Sequence, residues 1–322
     1  MFKDVPRIVT TQPHALTALD SHSAHDDPIN HIAFAERGQI MATSDTAMKV
    51  KIWRGRELIH QLDTRSISDK VRPTERIRGL AFASDGDRLI VAAGEHVASF
   101  KVNSILDRPD WTYIAPRLLA FLIISPTSIS ISEHDTLAAA FDNGTTVIWD
   151  GDGVRQHIIR HNASPRYLQF VSGEKIVGTD GFSVSLWRPE ERRPVMHRIS
   201  EDRIYGMAAT SDGKFVALRR LFSTAVFEVE SGAEVVEHKQ GRGLPLVEFG
   251  PGTHCMALGT QHAIHLYDLP SNQHAKLALD DAELISLSFL PDSSQVIAGC
   301  SDGRVRVWEN PLWERKARSS EH

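Results

Sequence analysis

The feature of this chain that most constrains its fold is an alternating apolar run that ends in an aromatic residue and recurs seven times. The seven terminal residues are Trp53, Phe100, Trp149, Trp187, Phe227, Tyr267 and Trp308. Successive members are 38 to 49 residues apart. A repeat of this length is typical of architectures that stack similar units, and alternation within each run predicts a strand with one buried face.

A second marker lies upstream of each aromatic residue. It consists of two apolar residues separated by one position and followed by a turn. Leu80–Phe82 precedes the Ser-Asp-Gly turn at 84–86, and Leu287–Phe289 precedes Pro291–Asp292. Asp-Gly and Pro-Asp pairs supply the backbone geometry of tight hairpins. Each repeat therefore consists of three strands joined by turns, with room for a fourth, and the chain is predicted to be all-β.

Seven such units, from about Ala15 to Trp308, resemble WD-repeat β-propellers. That family repeats a Gly-His dipeptide, a Ser/Thr-x-Asp turn and a terminal Trp-Asp in each unit. Trp149-Asp150 is a literal Trp-Asp pair, and Asp302 with Trp308 forms one of the best-preserved turn-and-strand copies. The resemblance implies seven four-stranded antiparallel blades arranged in a ring.

In WD-repeat proteins, His, Ser/Thr, Asp and Trp side chains form a hydrogen-bonded chain that rigidifies a blade. The resemblance assigns this structural role to His25, Thr43, Asp45 and Trp53, because the first repeat is the one that keeps all four residues. The other repeats keep fewer of these positions. The structural residues assigned in them are Trp149, Trp187, Asp302 and Trp308. We therefore expect most blades to depend on packing and the fold to have modest stability.

A ring hides its sheet edges only if its first and last blades are joined. The last repeat ends after its third strand, and the alternating stretch Ala15–Leu19 precedes the first repeat. We expect residues 1–24 to supply the missing outer strand, residues 25–310 to form the propeller and residues 311–322 to form a short polar tail.

The connection after the second repeat contains the apolar run Leu118–Ile124. We interpret it as part of an enlarged outer strand and loop. An apolar docking flap and a contact with a second copy of the chain, which would make a homo-oligomer, are the alternatives.

Charge and motifs exclude several classes of function. The 36 Lys and Arg residues against 41 Asp and Glu residues give a net charge of −5, which disfavours nucleic acid as the partner. The chain has no apolar stretch long enough to cross a membrane and no apolar signal segment, so we expect a cytoplasmic protein. Two cysteines exclude a disulfide framework. No phosphate-binding loop, nucleophile elbow or zinc-helix motif occurs, so we predict no enzyme, cofactor or metal site.

Contact positions can be carried over from the family to this chain. Two of them lie three and five residues after the His position of each repeat. The other is the residue just before the Asp of the turn. The candidate residues at these positions are Arg76, Arg78, Arg166, Arg203, Tyr205, Arg220 and Glu283. Arg binds carboxylates and phosphates bidentately, and Arg and Tyr dominate interface energetics. We interpret the arginines, with Tyr205 as an aromatic anchor, as a basic face that binds an acidic or phosphorylated segment of another protein.

The predicted function is therefore a non-catalytic protein–protein interaction scaffold or adaptor. The alternative is a lactonase-like propeller hydrolase that acts at the mouth of the channel. In it, basic residues beside Glu283 would hold an anionic sugar acid, and His31 or His161 would act as general base. A third possibility, contact with RNA or DNA through the arginines, is disfavoured by the net charge.

Overall fold

The computed structural model describes most of the chain. The described residues are 18–35, 40–67, 76–103, 109–114, 124–161, 163–191, 194–200, 202–239, 246–260, 263–279 and 282–313. Nearly all regular structure within them is β-strand, and a short 3-10 helix, Thr64–Ile67, follows the first blade.

The strands form seven four-stranded sheets, each of which is one blade. Blade 1 contains β2 (Ile29–Phe34), β3 (Ile40–Asp45), β4 (Lys49–Arg54) and β5 (Glu57–Asp63). Blade 2 contains β6 (Ile77–Phe82), β7 (Arg88–Ala93), β8 (His96–Lys101) and β9 (Trp111–Ile114). Blade 3 contains β10 (Pro126–Ile131), β11 (Leu137–Phe141), β12 (Thr145–Trp149) and β13 (Arg155–Arg160). Blade 4 contains β14 (Tyr167–Val171), β15 (Lys175–Thr179), β16 (Ser183–Trp187) and β17 (Met196–Ile199).

The remaining three blades follow the same pattern. Blade 5 contains β18 (Gly206–Ala209), β19 (Phe215–Arg219), β20 (Ser223–Glu228) and β21 (Glu234–Lys239). Blade 6 contains β22 (Leu246–Phe249), β23 (Cys255–Gly259), β24 (Ala263–Asp268) and β25 (Gln273–Ala278). Blade 7 contains β26 (Leu284–Phe289), β27 (Gln295–Cys300), β28 (Arg304–Glu309) and the N-terminal strand β1 (Asp20–Ser23).

The blades close into a ring. Strands within a blade pair antiparallel in chain order, and the first strand of each blade contacts the first strands of both neighbouring blades. Strand β2 of blade 1 contacts both β6 and β26, so the series returns to its start. This arrangement confirms the predicted all-β fold of seven four-stranded antiparallel blades.

The ring is closed by β1, which pairs antiparallel with β28 from Asp20↔Val307 to Ser23↔Arg304. The strand lies just downstream of Ala15–Leu19, the stretch expected to form it, of which residues 15–17 lie outside the described residues. Its sequence, Asp-Ser-His-Ser, is polar. An outer strand has no neighbour beyond it, so it needs no continuous apolar pattern, and polar residues protect its open edge.

Burial decreases from the middle of each blade to its outer strand. All five residues of β11 and all five of β23 are buried, because these second strands are covered by neighbouring blades on both faces. Alanine is frequent there, and β11 reads Leu-Ala-Ala-Ala-Phe. The outer strand β21 reads Glu-Val-Val-Glu-His-Lys and keeps exposed or half-buried charged residues. A strand covered on both faces needs a continuous apolar run. Small side chains such as alanine allow it to fit between adjacent blades.

Polar side chains cross the seams between blades. The Gln169 amide in blade 4 donates to the Ala209 carbonyl at 3.0 Å and accepts from the Ala209 amide at 2.8 Å in blade 5. The His31 ring in blade 1 donates to the Ile77 carbonyl of blade 2 at 3.0 Å. At the closing seam, the Ser286 hydroxyl donates to the Ile29 carbonyl at 2.9 Å. These bonds satisfy backbone groups that strand pairing leaves open.

The four residues assigned to the first repeat form one buried hydrogen-bonded chain. The Trp53 Nε1–H donates to Thr43 Oγ1 at 2.8 Å, and this hydroxyl lies 2.8 Å from His25 Nε2. The Nδ1 of His25 lies 2.8 Å from Asp45 Oδ2, and the amide of Lys49 donates to Asp45 Oδ1. Burial raises the pKa of the Asp45 carboxyl, but hydrogen bonds from His25 and Lys49 outweigh it and hold that pKa below its usual value.

The chain of bonds is incomplete in blades 4 and 7. Trp187 and Trp308 are buried like Trp53, but their Nε1 atoms have no hydrogen-bond partner among the described residues. In blade 7 the Asp302 carboxylate instead accepts both terminal nitrogens of Arg306, at 3.0 and 2.8 Å. Trp149 of blade 3 is 1% exposed. These blades are therefore held by packing and by local ion pairing.

Two further sequence expectations concern segments outside the blades. The packed part of the chain continues past residue 310, because Leu312 is 4% exposed and belongs to the core cluster around Trp308. Residues 314–322 lie outside the described residues, as do residues 118–123 of the apolar run. Ile124, the last residue of that run, is 2% exposed and packs between blades 2 and 3.

A half-buried glutamate lies at the seam position of blade 6. Glu248 is the third residue of β22, as Gln169 is of β14. Burial raises the pKa of Glu248 to about 7. The folded protein therefore binds a proton at this site more tightly than the unfolded chain does. The free energy of unfolding falls as the pH rises from the usual pKa range of glutamate through 7.

We expect Glu248→Gln to make the protein more stable at pH 8 and nearly unchanged in stability at pH 5. Glutamine is neutral at both values, so the variant avoids the cost of ionising a buried carboxyl, about 2 kcal/mol at pH 8. Urea unfolding at the two pH values measures the difference. An equal change in the free energy of unfolding at pH 5 and pH 8 would contradict the prediction.

Candidate functional site

The candidate contact residues lie at one end of the blades. Within an antiparallel blade, the start of the innermost strand and the turn between the second and third strands are at the same end. We call this end of the seven blades the loop face. Arg76, Arg166, Tyr205 and Glu283 each directly precede an innermost strand, and Arg220 lies in the turn between β19 and β20.

The loop before blade 5 lies between two turns of the loop face. The Ile204 amide donates to the carbonyl of Gly181 at 2.7 Å in the turn of blade 4. The amide of Tyr205 donates to the carbonyl of Arg219 at 2.7 Å, next to the turn of blade 5. Ile204 is fully buried. This anchor fixes the neighbouring residues of the loop against both turns.

Arg203 lies between aromatic rings at this position. Its guanidinium carbon is 5.5 Å from the centre of the Tyr205 ring and 5.8 Å from the centre of the Phe182 ring. Both separations are within the range of a cation–π interaction. Arg166 approaches the same turn, because a Cβ added to Gly181 would lie 3.1 Å from its Cδ. The structure therefore brings Arg166, Arg203 and Tyr205 together.

Three large apolar side chains on these turns are exposed. Phe182 is 56% exposed, and Leu221 and Phe222 are 43% and 57% exposed. The sequence analysis did not select these residues. Turns favour Gly, Asn, Asp and Ser, so an apolar residue at a hairpin tip is unusual and could have indicated this surface. We define the aromatic–arginine patch as Arg166, Phe182, Arg203, Tyr205, Leu221 and Phe222.

One carboxylate beside the patch is already occupied by its own turn. Asp180 Oδ1 accepts from the amides of Phe182 and Ser183, and its Oδ2 accepts from the Ser183 hydroxyl. Within the part of the chain that the structure describes, neither Arg166 nor Arg203 makes an ion pair. The exposed side chain of Asp202 precedes Arg203 in the loop. The patch therefore presents two guanidinium groups beside exposed aromatic rings.

Arg76 and Arg78 form a separate group at blade 2. They flank the buried Ile77, and both are exposed. The pKa of Asp142, in the turn of blade 3, is raised by burial, while the positive charge of Arg78 acts to lower it. Arg78 is thus partly balanced by an acidic neighbour, and this group is two blades away from Arg166.

The side chains of Arg220 and Glu283 have other neighbours. The guanidinium carbon of Arg220 is 5.5 Å from the centre of the Phe227 ring, and the side chain lines a groove of about 610 Å³ between blades 4 and 5. Glu283 is exposed at the start of blade 7, where its backbone amide donates to the Ser301 hydroxyl at 3.1 Å. The seven candidates therefore do not form one continuous basic face.

Comparison with known families agrees with this architecture. The family model of the WD domain, G-beta repeat, matches residues 16–54 and 277–309. These matches cover less than a quarter of the chain and fall on blades 1 and 7, which adjoin at the closing strand. The five blades between them have the same strand order. The chain folds as a seven-bladed β-propeller, and the WD-repeat family model matches its first and last blades.

The propeller is also similar to part of a larger protein. The intraflagellar transport protein 122 homolog of zebrafish (Danio rerio) is 21% identical to it over 296 residues. The alignment covers 76% of this chain and 24% of that relative. The propeller therefore corresponds to about a quarter of the relative's length.

The residues suggested for a hydrolase lie at different places in the propeller. The His31 Nε2 donates to a backbone carbonyl in the seam between blades 1 and 2. The Nε2 of His161 is 2.8 Å from the Thr146 hydroxyl in the seam between blades 3 and 4. Glu283 is at the start of blade 7. The structure does not bring these three residues together.

The described residues hold neither a metal-binding cluster nor a membrane-spanning helix. Within the ranges given above, no group of three or more His, Cys, Asp and Glu side chains could hold a metal ion. No helix among the described residues is long and apolar enough to span a membrane.

Proposed function

We propose that this propeller is a non-catalytic protein-interaction scaffold that binds an acidic or phosphorylated segment of another protein through the aromatic–arginine patch. The observation that supports the proposal most is the position of Arg203 between two aromatic rings, with no ion-pair partner among the described residues. A guanidinium stacked on aromatic rings is held in place before a partner arrives, so less entropy is lost when it binds a carboxylate or phosphate.

The composition of the patch also supports a protein partner. Exposed Phe182 and Phe222 supply apolar area, while Arg166 and Arg203 supply charge-assisted hydrogen bonds. Aromatic residues and arginine are the types enriched in the centres of protein interfaces. The similarity to a protein named for intraflagellar transport is compatible with a scaffold. The segment that would bind therefore combines acidic groups with at least one apolar side chain.

The affinity for acidic peptides should depend on the two arginines of the patch. We expect short peptides selected on the wild-type propeller from a display library to be rich in Asp, Glu or phosphoserine. Their Kd should rise about 10- to 100-fold in the Arg166→Ala, Arg203→Ala double variant, because both charge-assisted contacts are lost. Fluorescence anisotropy at two salt concentrations measures the affinity, which should fall as salt rises.

Arg188→Ala is the matched control for this experiment. Arg188 is about as accessible, but it is paired with Glu191 at 2.9 Å and follows β16 at the end of the blade opposite the loop face. It should leave the Kd unchanged. An Arg76→Ala, Arg78→Ala variant tests whether the group at blade 2 contributes. Equal affinity in the wild type and the double variant, or selection of basic peptides, would overturn the proposal.

A further inference from the structure

Three histidines and a tyrosine meet at the outer part of the seam between blades 5 and 6. His238 comes from β21, His265 and Tyr267 come from β24, and His274 comes from β25. The three imidazoles are half-buried, and Tyr267 belongs to the buried core that the two blades share. We call these four side chains the histidine cluster.

The rings of the cluster are in mutual contact. The Nδ1 of His265 lies 3.2 Å from His274 Nε2, and these two rings stack with centres 5.4 Å apart. The Tyr267 ring stacks on His274 with centres 4.7 Å apart, and its hydroxyl lies 3.1 Å from His238 Nδ1. The centres of the His238 and His265 rings are 6.0 Å apart. At these separations, a positive charge on one imidazole repels a charge on the others.

On the blade 6 side, the charge that neighbours the cluster is positive. Lys276 pairs with His265 and lies on the same face of β25 as His274. The Asp268 side chain alternates to the opposite face of β24, and it accepts a hydrogen bond from the Ser271 hydroxyl. Blade 6 therefore directs a cation, and no carboxylate of its described strands, toward the histidines.

On the blade 5 side, the strand residues across from the cluster are not acidic either. Thr224 of β20 pairs with His238, and Arg219 of β19 pairs with Thr224 and donates to a backbone carbonyl. The charged residues of β21 lie on the face opposite His238, toward blade 4; they are Glu234, Glu237 and Lys239. An imidazolium in the cluster therefore has no acidic partner among the described residues of either blade.

The surroundings lower the pKa of each histidine in the cluster. Burial is the main cause for all three, and positive charges nearby add to it for His265 and His274. Together they lower the pKa of His265 to about 4. The unfolded chain binds protons more tightly, because an unperturbed histidine has a pKa of about 6.5. The stability that the cluster contributes is therefore complete above pH 6.5 and is lost as the pH falls toward 4.

The inner part of the same seam responds differently to acid. His254 Nε2, at the start of β23, lies 2.9 Å from Asp212 Oδ2 in the turn between β18 and β19. Burial acts to raise the pKa of Asp212, but hydrogen bonds from Thr210 and His254 hold it at about 2. Protonation of His254 places a positive charge beside an ionised carboxylate, so mild acid strengthens this contact.

We propose that the histidine cluster is an acid-sensitive latch: when its imidazoles take up protons, the outer strands β21 and β25 move apart while the inner strands of blades 5 and 6 stay together. Each of the two is the last strand of its blade, so they can separate without breaking the ring of inner strands. The latch shares no residue with the aromatic–arginine patch and does not depend on the proposed scaffold function.

Hydrogen–deuterium exchange of the full chain at pH 7.5 and pH 5, with rates corrected for the intrinsic effect of pH, tests the latch. If His265 regains its unperturbed pKa in the open form, its shift alone makes that form about 30-fold more populated at pH 5 than at pH 7.5. We expect the corrected exchange of the β21 and β25 amides to rise by at least about this factor. Exchange in β22 and β23, beside the His254 contact, should stay nearly constant.

Replacing the histidines separates the latch from a general sensitivity to acid. The His238→Gln, His265→Gln, His274→Gln triple variant keeps polar side chains that do not titrate. Its corrected rates in β21 and β25 should be nearly equal at the two pH values. The matched control is His157→Gln, because His157 is an exposed histidine on β13, the outer strand of blade 3. This variant should keep the wild-type ratio of rates.

Three results would overturn the proposal. They are equal corrected rates at the two pH values in the wild type, an equal rise in the outer strands of all seven blades, and the wild-type ratio in the triple variant. If the triple variant does not fold, His265→Gln alone should lower the ratio at least about 10-fold, and an unchanged ratio would count against the latch. Peptide binding at the aromatic–arginine patch is measured at pH 7.5, so either proposal can fail without the other.

Discussion

Gly303→Ala is expected to lower the free energy of unfolding by about 4 kcal/mol, the largest effect of any single substitution considered for this propeller. Gly303 has a φ of +73°. A Cβ there would overlap the His25 carbonyl oxygen, which is backbone and cannot move aside alone. The amides of Ala24 and His25 both donate to the Gly303 carbonyl, so displacement would also weaken the closing seam. Urea unfolding measures the loss.

Gly252→Ala is the matched control. Gly252 also lies in a turn with positive φ, +63°, but a Cβ there would meet no atom within 4 Å. It should cost about 1 kcal/mol from backbone strain alone. If both variants lose the same stability, the contact with His25 does not hold the seam.

Thr43→Val is expected to cost about 3 kcal/mol, because it removes the central group of the buried chain in blade 1 while keeping the side-chain shape. The hydroxyl accepts from Trp53 Nε1 and, with His25 Nδ1 directed at Asp45, donates to His25 Nε2. Valine can do neither. Two polar groups are left buried without partners, and thermal and urea unfolding should both register the loss.

Thr146→Val provides the comparison for that substitution. Thr146 is also buried, but its hydroxyl bonds to one partner, the Nε2 of His161, at 2.8 Å. We expect a loss of about 1 kcal/mol, consistent with one hydrogen bond rather than two. Similar losses in the two variants would show that the chain in blade 1 does not act as a unit.

The fold was predictable from sequence because each blade repeats the same physical pattern. In blade 1 the strand that carries Trp53 pairs with the strand before it across a turn, and the same order recurs in blade 7 at Trp308. The position of the closing strand was less predictable. Its residues, Asp20–Ser23, are polar because the outer strand of a blade is exposed, so alternation in the sequence pointed to the apolar stretch just upstream.

The candidate site was only partly predictable. Backbone topology places all seven candidate residues toward the loop face, but side-chain direction divides them. Arg203 meets aromatic rings, whereas Arg220 lies over Phe227 in the groove between two blades. The local sequence cannot show this, because Phe182 comes from a different blade than Arg203. Exposed apolar residues at hairpin tips are a better guide to this patch than the arginine count.

The pairing of β1 with β28 has a consequence for synthesis. The Arg304 side chain donates to both the hydroxyl and the carbonyl of Ser21, 283 positions away. As the ribosome releases the chain from its N-terminus, β1 has no pairing strand until the last blade emerges. Contacts so distant in sequence form late and slowly. The nascent protein must therefore keep six blades in an open arc, with an unprotected edge at each end, until β28 has been synthesised.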